Sequence, residues 1–139
     1  MRASIVLCGV TDELARLVAF AEAFASECGF ADVERARLLI ILEELFTNVV
    51  VYGNAQSVTA TLDLSRGRLT IDFVDDGQPF DPLTHSPLNL DAPGEERPIG
   101  GLGIAILRAL VDKARYRRQG CRNHLRLARR IAPAAKDPG

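Results

Sequence analysis

No run of apolar residues in this 139-residue sequence approaches the roughly 20 needed to cross a bilayer as a helix. The apolar part of the opening Met1-Arg2-Ala3-Ser4-Ile5-Val6-Leu7-Cys8 is too short for the core of a secretory signal. Both absences predict a cytoplasmic protein with no membrane partner. Cysteine is scarce and odd in number (Cys8, Cys28, Cys121), with no Cys-x-x-Cys pair, the pattern of isolated thiols in a reducing compartment. His85 and His124 are far apart, and neither has a partner at metal-ligand spacing, so no zinc site is expected. Charge of one sign is also missing. The 17 Lys and Arg balance 18 Asp and Glu to a net charge of -1, which removes any global electrostatic case for nucleic acid or an anionic membrane. There is no Gly-Lys-Ser/Thr and no dinucleotide-type glycine spacing, so those nucleotide folds are unsupported. No repeat and no dividing linker is visible. Length and a hydrophobic content of 47% fit one domain with a substantial core over residues 1–131, and a frayed tail over 132–139.

What is present alternates strand-like and helix-like patterns. Residues 3–8 read as a strand. Thr11 offers a helix N-cap, with Asp12 and Glu13 in the first turn, and an apolar stripe runs through Leu14, Leu17, Val18, Ala21, Phe24 and Ala25 to a C-cap at Gly29. Asp32 can cap a second helix running to about Val51, ended by Gly53-Asn54. Residues 57–64 and 68–74 alternate as a hairpin around Ser65-Arg66-Gly67. Residues 75–101 hold five of the seven prolines and show no sustained period, as a functional loop would. A short apolar helix at 102–112 and a closing hairpin, 113–118 with 124–130, follow.

The second helix carries an anomaly. Stepping about 100° per residue from Leu38, Leu42, Leu45 and Val49 fall within about 40° of it and form an apolar seam. Glu44 and Asn48, one turn apart, flank that seam at about 240° and 280°, whereas Glu43 at about 140° turns away. A carboxylate and a carboxamide at the margin of a core are costly without partners. Asn48 offers an amide oxygen suited to a hard cation such as magnesium, and Glu44 can orient or deprotonate a nucleophile. Directly after the third strand comes Asp75-Asp76-Gly77-Gln78-Pro79-Phe80-Asp81-Pro82. A carboxylate at a strand's end, followed by glycine, can accept a hydrogen bond from an exocyclic amine while the backbone approaches a flat ring. Gly100-Gly101-Leu102-Gly103 opens a helix, where backbone N–H groups and the helix dipole suit phosphate oxygens. Between them, residues 81–99 are a candidate lid, with Arg97 placed to reach phosphates.

This order of motifs resembles the GHKL (Bergerat-fold) ATPase/kinase superfamily, and more narrowly its anti-sigma-factor serine/threonine kinases and stressosome-type switch kinases. The ending Tyr116-Arg-Arg-Gln-Gly-Cys-Arg-Asn123 looks like that subgroup too, and the likeness spans about residues 5–130. The resemblance implies a two-layer α+β sandwich, with helices on one face of a mixed, mostly antiparallel sheet, binding ATP with Mg2+. It matches Asn48 to the magnesium-binding asparagine, Glu44 to the proposed catalytic base, and Asp75 with Gly77 to the adenine-reading pair. Gly101, Leu102 and Gly103 match the residues beside the phosphates. Tyr52 stands where many relatives have histidine. Pro79 replaces the second glycine of Asp-x-Gly-x-Gly, and the Gly-Thr expected near Asn123 is missing, which leaves one adenine contact unassigned.

A sensor histidine kinase needs a further helical domain, for which 139 residues leave no room. The resemblance therefore implies a minimal kinase that phosphorylates a STAS-type anti-anti-sigma protein and holds a sigma factor. The alternatives are an ATP-binding module that sequesters a partner without kinase activity, or a switch kinase with no sigma factor. Relatives form homodimers through the N-terminal helix and a sheet edge, and Leu14, Leu17, Phe20 and Phe24 would serve either that contact or the core. Ten Lys and Arg from Arg108 onward, against Asp112 and Asp137, form either a solvated basic face or a docking surface for an acidic protein. Aromatic interleaving is limited to Tyr116, so nucleic acid is not expected.

Overall fold

The computed structural model describes residues 1–81 and 101–132, without the side chains of 101–104 and 106. The expected lid (81–99, except Asp81), Arg97 within it, and the tail beyond Ala132 lie outside the described residues.

The chain order is β1 (Arg2–Cys8), a 3-10 turn (Thr11–Glu13), α1 (Leu14–Cys28), α2 (Asp32–Val51), β2 (Ser57–Ser65), β3 (Arg68–Asp75), α3 (Gly101–Leu110), β4 (Lys113–Gln119) and β5 (Arg122–Arg130). The strands form one sheet in the order β1-β2-β3-β5-β4, antiparallel at each pairing. The mostly antiparallel sheet expected is thus antiparallel throughout its described strands.

Alternation decides which face is covered. Leu7, Val58, Ala60, Leu62, Leu69, Ile71, Phe73, Leu125 and Leu127 point to the helices and are buried, whereas their strand neighbours face outward. From the helices, Leu17, Ala21, Phe24, Leu38, Ile41, Leu42, Leu45, Phe46 and Val49 complete this core. Each such leucine or phenylalanine contributes about 1.5–3 kcal/mol by leaving water. The seam predicted on α2 is wholly buried, and Ile41 and Phe46 widen it. Leu17 and Phe24 are buried, and Leu14 and Phe20 pack against the core. Leu17 and Phe24 are thus committed to the core, whereas Leu14 and Phe20 keep part of their surface exposed.

The helix starts depart from expectation. Thr11 lies in the 3-10 turn and Asp32 inside α2, and neither helix start has a side-chain cap. Glu13 is used differently, its Oε2 accepting from the Cys8 backbone N–H at 3.1 Å and from Arg16 at 2.6 Å. Gly29 does close α1, at φ 70° in the left-handed region, with its N–H directed to the Ala25 and Ser26 carbonyls. The β2–β3 hairpin turns on Arg66 and Gly67 alone, both at positive φ, as a two-residue loop requires.

A buried ionic cluster not anticipated from the sequence joins the layers. Glu34 accepts from Arg129 Nη2 and Arg37 Nη1, each at 2.8 Å, and Arg129 Nη1 donates to the Leu110 carbonyl at 3.0 Å. It ties α2 to β5 and to the end of α3. The cost of taking these charges out of water offsets much of their attraction, so the cluster is not by itself a measure of stability.

Candidate functional site

The C-terminal half of α2 and the loop leaving β3 meet through close backbone contact. Gln78 N–H donates to the Gly53 carbonyl at 2.9 Å, and Gln78 Nε2 to the Tyr52 carbonyl at 2.9 Å. A Cβ on Gly77 would stand 2.3 Å from the Gly53 oxygen and 2.9 Å from Asp75 Oδ1, so only glycine allows this approach. The Tyr52 and Phe80 rings stack across the junction, centroids 5.8 Å apart. Two motifs separated by more than 20 residues thereby become one wall.

On α2, Asn48 is 2% exposed, and its Nδ2 has no hydrogen-bond partner among the described residues. One turn earlier, Glu44 is half-buried, with its Oε2 buried and equally unpartnered, while Glu43 is exposed. Burial, and then repulsion from Glu43, push the Glu44 carboxyl above its usual range. Burial and then the Glu44 carboxylate push the Tyr52 phenol up, which places Tyr52 within electrostatic reach of Glu44. Two neighbouring orphaned polar atoms on a buried helix face are expensive in a bare fold. Their donor and acceptor chemistry fits a hydrated divalent cation and phosphate oxygens.

Asp75 closes β3 with its side chain 4% exposed. Its Oδ1 accepts from Gly77 N–H at 2.9 Å and from Asn123 Nδ2 at 3.0 Å. Burial raises its carboxyl above the ordinary aspartate range, partly opposed by those two bonds. Both described bonds converge on Oδ1, which leaves Oδ2 as the oxygen for a ligand amine. Asp76 behaves in the opposite way. Exposed, it accepts from Gln56 N–H at 2.8 Å and Ser57 N–H at 3.0 Å, and bonds from Ser57 and then Gln56 hold its carboxyl below the usual range. It pins the start of β2.

Asn123 is the residue that sequence reasoning left without a role. The β3–β5 register sets it opposite Asp75. Besides Asp75, its Nδ2 donates to the Gln78 carbonyl at 2.9 Å. Its Oδ1 accepts from the Tyr116 hydroxyl and from Arg118 Nη1, the latter at 3.1 Å. Arg118 Nη1 also donates to the Gly77 carbonyl at 2.7 Å. The Tyr116-to-Asn123 segment is thus a brace behind the Asp75 loop. Its signal was the segment's likeness to the subgroup motif, but the bonding needs the register.

Gly101, Leu102 and Gly103 form the first turn of α3, so the glycines do open a helix, which packs against α2. Pro79 is exposed in the loop, and Arg97 lies outside the described residues.

The model of the histidine kinase-like ATPase domain matches residues 10–129, and the chain belongs to that family. Among solved structures, the RsbU and RsbW domains of Rv1364c from Mycobacterium tuberculosis superpose with a TM-score of 0.70 at 19% identity. That match covers 96% of this chain and 34% of the other, so this chain spans about a third of that length. The Acinetobacter baumannii histidine kinase AdeS superposes with a TM-score of 0.52 at 16% identity, over 94% of this chain and 68% of the other. At these identities the likeness is one of fold. No curated protein matches the chain.

Proposed function

We propose that this chain is an ATP-dependent serine/threonine protein kinase of the partner-switching kind. It phosphorylates a STAS-type anti-anti-sigma protein in the cytoplasm and, when unopposed, holds a sigma factor. The observation that carries the reading is the pair of buried atoms Glu44 Oε2 and Asn48 Nδ2, unpartnered among the described residues, on the helix whose end at Tyr52 and Gly53 meets the Asp75 loop. Family membership and the motif resemblance support it.

Asp75, held by Asn123 and Gly77, accepts a hydrogen bond from the adenine amino group. Gly77 and Pro79 shape the loop against the ring. The amide groups opening α3 at Gly101, Leu102 and Gly103 face the phosphates, with Arg97 as a further cation. The amide oxygen of Asn48 would hold Mg2+, which when bound neutralises phosphate charge, while the unpartnered Nδ2 would donate to a phosphate oxygen. Glu44 orients the incoming serine or threonine hydroxyl and takes its proton as the oxygen joins the transferred phosphoryl group. A carboxyl raised by burial is a better proton acceptor than an exposed one.

The test incubates the purified chain with labelled ATP, Mg2+ and a purified STAS protein. Label on a serine or threonine of that protein is expected. Absence of label would sink the kinase reading. A stable ATP-dependent complex without label would identify a sequestering module instead.

A further inference from the structure

Among the described residues, the helices cover one face of the sheet. On the other, β4 and β5 present Lys113, Arg115, Arg117, Arg122, Arg126 and Arg130, all exposed, and no acidic residue. Six cations on two strands contrast with a chain whose net charge is -1. The register makes the clustering sharper. Arg115 lies directly across from Arg126, and Arg117 from His124. Like charges directly opposite on one face, as Arg115 and Arg126 are, destabilise a sheet, and a merely solvated face would pair opposite signs. Protection of an edge strand accounts for cations on β4 but not on β5, which lies between β3 and β4. Arg126 is partly neutralised by Asp72 on β3, Nε to Oδ1 at 2.7 Å. Arg115 and Arg117 form no ion pair among the described residues. Arg115, Arg117, His124 and Arg126 line, together with Asp72, Val74 and Leu125, a hollow of about 150 Å³, room for one carboxylate-tipped side chain beside the Asp72–Arg126 pair.

We propose that this outer face of β4 and β5 is a docking surface for an acidic protein segment, with an Asp or Glu of the partner seated between Arg115 and Arg117. Guanidinium forks match carboxylates in two-point geometry. The face carries no Phe, Tyr or Trp, because Tyr116 points inward, so it lacks the stacking platform of a single-stranded nucleic-acid site. Asp72 within the patch disfavours a phosphate backbone track, and the near-neutral chain provides no long-range field for one. The surface lies on the opposite side of the sheet from Glu44 and Asn48, and the inference does not depend on the kinase reading.

The test measures fluorescence anisotropy of a labelled Glu/Asp-rich 15-residue peptide, and of a 15-base-pair DNA duplex, titrated with the full chain in low salt. The variant is Arg115→Glu/Arg117→Glu. The expected result is peptide binding that weakens on the order of tenfold in the variant, with duplex binding weaker than peptide binding. The reversed charges would then face Arg126 and His124, so the variant's melting temperature is expected to be unchanged or up by roughly 1–3 °C. Nucleotide binding by the variant is unchanged, which separates this surface from the ATP site. Three results would overturn the proposal: no peptide binding or equal binding by the variant, tighter binding of the duplex, or a melting temperature lowered by more than about 5 °C, which would make the arginines structural.

Discussion

Asn123→Asp preserves the size of the side chain and replaces the amide nitrogen 3.0 Å from Asp75 Oδ1 by an oxygen. Two carboxylates at that separation repel by roughly 5 kcal/mol at an effective dielectric near 20. Arg118, 3.1 Å from the Asn123 oxygen, offsets part of this. A single proton held between the two oxygens removes the repulsion and restores the bond. Holding it costs about 1.4 kcal/mol per pH unit above the ordinary aspartate value, hence roughly 1.5 kcal/mol at pH 5 and roughly 4 kcal/mol at pH 7. The sign follows from linkage. The folded pair releases its last proton at a higher pH than the unfolded chain does. Stability is therefore retained in acid and lost as pH rises toward the folded value. Urea unfolding of the variant and the parent at both pH values measures the difference. The gap should widen by up to about 2–3 kcal/mol between pH 5 and pH 7, the parent's own raised Asp75 carboxyl offsetting part of it. Asn123→Ala serves as the control. It loses bonds to Asp75, Gln78 and Tyr116 at a cost of about 2–4 kcal/mol, which grows only modestly with pH because the lost bond had opposed the upward shift of the Asp75 carboxyl. A gap for Asn123→Asp that varies with pH no more than that of Asn123→Ala would refute the placement of Asn123 against Asp75.

Three further outcomes are expected. Asn48→Ala abolishes Mg2+-dependent nucleotide binding in calorimetry, yet unfolds at an equal or higher urea concentration, because it removes an orphaned buried donor; full retention of binding refutes the role of Asn48. Glu44→Gln keeps ATP binding and slows phosphoryl transfer roughly 10²–10⁴-fold. In the parent the transfer rate should fall as pH drops through the raised Glu44 value, and this limb should vanish in Glu44→Gln. Gly77→Ala, whose new methyl group would overlap the Gly53 carbonyl, should weaken nucleotide binding while leaving the far-ultraviolet circular dichroism unchanged; wild-type affinity would show that the loop tolerates displacement.

Local patterns carried most of the fold. The period-2 runs in β2 and β3, the seam of Leu38, Leu42, Leu45 and Val49, and Gly29 as a helix stop each depend on residues near in sequence. Their side-chain periods leave little choice of element. Caps were less legible. Thr11 and Asp32 have the right chemistry for capping, but the chain enters α1 through a 3-10 turn and α2 from Ala31.

The separation of Glu44 from Glu43 was also a sequence matter, since helical geometry alone turns one inward and the other out. Asn123 was different. A lone asparagine near the end of a chain has no period and no neighbour to mark it. Its value comes from standing opposite Asp75, and that register is set by the pairing of strands 48 residues apart. The same holds for Glu34 with Arg129 and for Arg115 opposite Arg126, where charges that look unremarkable along the chain become a buried pair or a crowded face. The sequence by itself determined the elements and the residue types able to handle a nucleotide. Tertiary structure decided which of those residues meet, because sheet register and helix-to-loop contact act between segments that local pattern cannot relate.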